Sequence, residues 1–126
     1  MRAPEELVCD IAPGCHYKIG IRIYPTEKAL TKAFQEDDGA GDAEAFCSCD
    51  TVIKDDRIAT LHFCISAMAP ELIAHEALHA IAEMMKVTRL NWDDPDAQEI
   101  AAYAISHIIE KALHAAKLYR RGNSCR

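Results

Sequence analysis

The chain has 126 residues, half of them hydrophobic, and carries a formal charge of -6. That length suits one domain with one modest core, and the composition excludes wholesale disorder. The acidic balance argues against a general nucleic-acid binder, which needs a basic stripe to neutralise phosphates. No stretch approaches the ~20 apolar residues that span a bilayer. Residues 1–126 are therefore expected to form a single domain without a membrane segment.

Pro4, Glu5, Glu6 and Asp10 interrupt the first fourteen residues, so no signal-peptide core is visible there and a cytoplasmic location is expected. The next segment, Tyr17 to Tyr24, alternates Ile19, Ile21 and Ile23 with Lys18, Gly20 and Arg22, the period of a strand. Thr26 is placed to cap a helix through about Glu36, with Leu30, Ala33 and Phe34 as its apolar stripe. The run Asp37-Asp38-Gly39-Ala40-Gly41-Asp42 is a loop on composition. Residues 44–53 read as a second strand, Lys54 to Arg57 as a turn, and Ile58 to Ile65 as a third strand. On that third strand Ala59, Leu61 and Phe63 share one face, and Thr60, His62 and Cys64 the other; His62 reads as a solvated residue.

From Pro70 the apolar period changes to 3.6, and a helix is expected to about Lys86. A short connection at Asn91 to Asp94 leads to a last helix, capped by Asp94, opened by Pro95 and unbroken to Gly122. The expected fold class is α+β, with an approximately three-stranded sheet packed on these two helices.

Six cysteines stand at positions 9, 15, 47, 49, 64 and 125, and are expected as thiols. Cys47-Ser48-Cys49 lacks the C-x-x-C spacing of zinc knuckles, and no second zinc site is read there.

The chemistry concentrates at His75-Glu76-Ala77-Leu78-His79. Residues four apart on a helix are neighbours, roughly 5–6 Å apart at Cβ. His75 and His79 are thereby placed to share one zinc ion through ring nitrogens. Glu76, one step round the helix, misses the metal and reaches the water it holds. Zinc lowers the pKa of such a water from 15.7 to about 7, and Glu76 would accept its proton as general base. The competing reading is two histidines on a solvated or core-facing helix. A catalytic zinc needs a third protein ligand and an open fourth position. Downstream candidates are Asp93, Asp94, Asp96, Glu99, His107 and Glu110; Glu99 stands out for its place early in the next helix.

The spacing His75-Glu76-x-x-His79-x19-Glu99 resembles that of the gluzincins, zincin metallopeptidases whose third ligand is a Glu on the following helix. The sequences His75 to Ala80 and Glu99 to Tyr103 also look like small prophage-encoded metallopeptidases, over roughly residues 43–110. This resemblance implies a minimal zincin-like domain with His75, His79 and Glu99 on zinc and Glu76 as the base. It also implies a strand before the site helix that pairs with an extended substrate. Two departures stand out: Tyr103 occupies the position where thermolysin-like members carry an Asp, and no large second domain follows. Tyr103 is a candidate to stabilise the developing oxyanion, with His107 behind it. The expected function is zinc-dependent hydrolysis of a peptide or protein substrate. The alternative is a zinc-binding regulatory or interaction module without peptidase activity. No oligomeric state follows from the sequence.

Overall fold

The computed structural model describes residues 2–122, the side chains of 50–53 excepted. Within them lie four strands, β1 (Glu5–Asp10), β2 (Lys18–Tyr24), β3 (Ala45–Lys54) and β4 (Arg57–Cys64). Three α-helices accompany them, α1 (Glu27–Glu36), α2 (Pro70–Thr88) and α3 (Pro95–Arg120), with a one-turn 3-10 helix at Ile65–Ala67. The class is α+β, as the element order implies.

The sheet runs β1-β2-β4-β3, four strands rather than about three. The additional strand is β1, which pairs antiparallel with β2 from Glu5↔Ile23 to Asp10↔Lys18. Its sequence, Glu-Glu-Leu-Val-Cys-Asp, carries no clean two-residue period, because no residue of this edge strand is fully buried. What places it is the neighbouring backbone, together with Glu6, whose carboxylate meets Arg57 at 2.9 Å and Arg22 at 3.5 Å. Strands β2 and β4 are parallel, and β3 folds back antiparallel on β4 as the opposite edge. The β3–β4 turn is made by Asp55 and Asp56, both at positive φ (54° and 61°), the backbone that twists a two-residue hairpin correctly.

Side-chain alternation then sorts the sheet into two faces. Ile19, Ile21, Ile23, Ala59, Leu61 and Phe63 face the main core, where they meet Ile73, Ala77, Ala80 and Ile81 of α2 and Ala104, Ile108 and Ala112 of α3. The opposite face is smaller: Tyr24, Phe46 and Cys64 pack there with Leu30 of α1. On the core face α2 lies over β3 and β4, while α3 packs beside it and over β1 and β2. The alanines that α3 buries allow close approach of the two helices. No helix among the described residues is long and apolar enough to cross a membrane.

Candidate functional site

Helix α2 starts at Pro70, whose missing N–H costs nothing in the first turn. It ends at Thr88 with Arg89 in the left-handed region (φ 59°), where Leu90 N–H donates to Met85 O at 2.9 Å. Burial of Ile73, Ala77, Ala80, Ile81 and Met84 fixes its rotation about its own axis. The flank carrying His75, His79 and Glu83 consequently looks into the space beneath β3.

The ligand-type atoms of His75, Glu76 and His79 all lie within 4.8 Å of one another. The two imidazoles are edge-to-face with centroids 5.2 Å apart, and Glu76 Oε2 is 3.9 Å from His75 Nε2. Both histidines are exposed, whereas Glu76 is only 6% exposed. Burial pushes the Glu76 carboxyl above the ordinary carboxylate range, and the two histidines pull it partly back. A carboxyl with this bias takes up a proton more readily than a solvated one. Two imidazole nitrogens and one carboxylate are also a donor set that suits a divalent transition metal.

Two adjoining hollows, about 670 and 590 Å³, share Ala45, His75 and Glu76. The first continues along Glu44, Glu71 and Leu72; the second is walled by Cys47 and Cys49 on β3 and by His79, Glu83 and Lys86 on α2. Together they form a trough between the edge strand and the helix. Cys47 is half-buried against the main core. Burial raises its thiol pKa well above the usual value, and Cys49, Glu76 and Glu83 add to the rise. The five described cysteines (9, 15, 47, 49 and 64) form no disulfide; Cys125 lies outside the described residues.

The structure does not bring Glu99 to this group. Glu99 and Tyr103 are exposed on α3, line neither hollow, and sit on a helix that packs over the far half of the sheet. Tyr103 is 63% exposed. Asp93, Asp96 and Glu110 are likewise exposed, and Asp94 is occupied in capping α3, accepting from Asp96 N–H at 2.9 Å. His107 faces elsewhere, on the side of Asp10 of β1, and its Nε2 is buried without a hydrogen-bond partner among the described residues.

His62 overturns the expectation of a solvated strand residue. It is 7% exposed on the α1 side of the sheet, stacked on Phe46 with centroids 3.9 Å apart. Its Nδ1 is 2.8 Å from Tyr24 Oη and its Nε2 is 2.9 Å from Ser48 Oγ. Burial lowers its pKa to about 4, so the ring is neutral near pH 7. Sequence reading also passed over Cys47 and Cys49 as parts of the groove. Their i, i+2 spacing already puts them on one face of a strand; only the packing of α2 decides that this face meets His75 and His79.

No family model matches the chain, and neither does any curated protein or solved structure.

Proposed function

We propose that this protein is a zinc-dependent peptidase with a minimal zincin-like arrangement, working in the cytoplasm on peptide or protein substrates. One observation carries the reading: two histidines and a buried glutamate gather within 4.8 Å at the floor of a trough beside an edge strand. His75 and His79 would hold the zinc ion through ring nitrogens. When bound, the metal supplies Lewis acidity and an activated water.

The chain's own residues supply the rest. Glu76 accepts the proton released as the carbonyl is attacked, then returns it to the departing amine. Its burial favours the protonated state needed midway. On the open side of β3 no strand of the described residues pairs with its backbone groups, so an extended peptide can add there and be drawn past the site. The two hollows, about 670 and 590 Å³, lie beside that strand. Glu99, the third ligand that the family resemblance implies, remains a candidate to be tested by Glu99→Gln.

That Glu99 stands apart from the group favours a second reading, a zinc-binding module without turnover. A zinc assay and a peptide-library digestion on wild type, His75→Ala, His79→Ala and Glu76→Gln separate the two. The peptidase reading expects about one zinc per chain, lost in both histidine variants. Glu76→Gln keeps its zinc, and cleavage falls by the ~10²–10⁴ that a positioned base contributes. Full zinc in both histidine variants would sink the metal site. Equal cleavage by Glu76→Gln would remove that residue from the mechanism, and zinc without cleavage by the wild type would select the module.

A further inference from the structure

His75 and His79 approach a metal from one helix and therefore from one side. A tetrahedral shell needs a third donor from a different direction. Glu83 continues the same helical stripe, but it lies eight residues from His75, roughly 12 Å along the axis, too far to share one ion with that residue. The element facing the two histidines across the trough is β3, where the donor-bearing residues lining that hollow are Cys47 and Cys49.

We propose that Cys47 is the third metal ligand, reaching across the groove from β3 to the His75–His79 pair. This rests on the reading of His75 and His79 as ligands. Three observations single out Cys47. Its register opposite Leu61 turns it to the face that α2 covers, and it packs against the main core there. It is half-buried, whereas Cys49 is exposed to solvent. Finally, Cys47, Cys49, His75, Glu76 and His79 all wall the same hollow.

The sulfur stands outside the 4.8 Å group formed by His75, Glu76 and His79. A cysteine side chain has a single χ angle with three staggered wells, so its sulfur can be redirected without moving the strand. The thiol gives up its proton on coordination, as every metal-bound cysteine does. Two imidazoles and one thiolate favour zinc, cobalt or ferrous iron over magnesium or calcium. They also leave the fourth position open, as a hydrolytic site requires. Coordination from β3 would pin the edge strand to α2 and so fix the width of the trough.

Cobalt(II) tests this directly, because a thiolate ligand adds an intense near-ultraviolet charge-transfer band that nitrogen and oxygen ligands do not. Metal-free full-length protein is titrated with cobalt and followed by absorption, with circular dichroism confirming the fold of every variant. Wild type should show the visible cobalt bands and the thiolate band together, saturating at about one cobalt per chain. Cys47→Ser should lose the thiolate band and bind cobalt at least ~10-fold more weakly. Cys49→Ser and Glu99→Gln should keep the band. The double variant His75→Ala/His79→Ala should lose every signal.

Cobalt bound by wild type without a thiolate band, or a band that survives Cys47→Ser, would overturn Cys47 as ligand while leaving the histidine site standing. Loss of cobalt in Glu99→Gln with Cys47→Ser unaffected would assign the third position to Glu99 instead. A band that persists in the double histidine variant would place cobalt on other thiols. Absence of any cobalt binding would bring down the metal reading itself, and this proposal with it.

Discussion

Protonation of His62 would place a charge on a buried ring with Arg22 nearby, which is what holds its pKa down, while the hydroxyls of Tyr24 and Ser48 can turn to accept from either nitrogen. In the neutral ring one nitrogen donates and the other accepts, which matches hydroxyls at 2.8 and 2.9 Å on the two sides. The folded pKa of about 4 lies below the ordinary value of 6.5. Between those values the unfolded chain binds more protons than the folded one, so stability is lost as pH falls through that window. The difference corresponds to about 3 kcal/mol in total. Urea unfolding of metal-free protein from pH 7 to pH 4 should show this loss, and His62→Gln should flatten the profile. An unchanged slope in the variant would mean that other groups carry the acid sensitivity. His62 sits on the opposite face of the sheet from the main core and stacks on Phe46, which lines the second hollow, so circular dichroism should accompany the measurement. Its alternating position was legible in the chain, but the α1 packing that buries it was not.

At the level of elements, legibility followed local chemistry. Thr26 caps α1 by accepting from Ala29 N–H at 3.1 Å, and Asp94 caps α3 with Pro95 behind it. Both caps act within a few residues of the chain and can be read from it. Removing the second should cost about 1 kcal/mol: Asp94→Ala is expected to lower the melting temperature by a few degrees, while Asp94→Asn keeps the cap and the stability. A melt showing Asp94→Asn as damaged as Asp94→Ala would assign the effect to lost charge at the helix N-terminus rather than to the cap. Helix α2 ran two residues beyond the expected Lys86, closed by Arg89 in a conformation usually left to Gly or Asn. Strand β1 escaped sequence reading because its partners are sixteen and more residues away at the Glu6–Arg22 and Glu6–Arg57 pairs.

For the whole molecule, the site is a seam between α2 and an edge strand rather than a cavity inside the core. A ligand bridging that seam stabilises the folded chain by mass action, by about 2.7 kcal/mol at a hundred times its dissociation constant. Zinc should therefore raise the melting temperature of wild type, and a chelator should reverse the rise. His75→Ala/His79→Ala should melt at the metal-free temperature whatever the zinc concentration. An equal shift in that variant would place the stabilising zinc elsewhere.

The chain by itself determined the α+β class, the two long helices and the grouping of His75, Glu76 and His79, since all three are consequences of spacing along one continuous segment. A four-residue step on a helix brings two side chains together whatever surrounds them. Tertiary structure decided what stands opposite that group. It buried Glu76, put Cys47 and Cys49 on the hollow that the histidines also line, and set α3, with Glu99 and Tyr103 exposed, over the other half of the sheet. It also enclosed His62 between Phe46 and Tyr24. Those facts depend on how far each helix is rotated about its own axis. That rotation is set by the sum of many core contacts from distant segments, which no local pattern encodes.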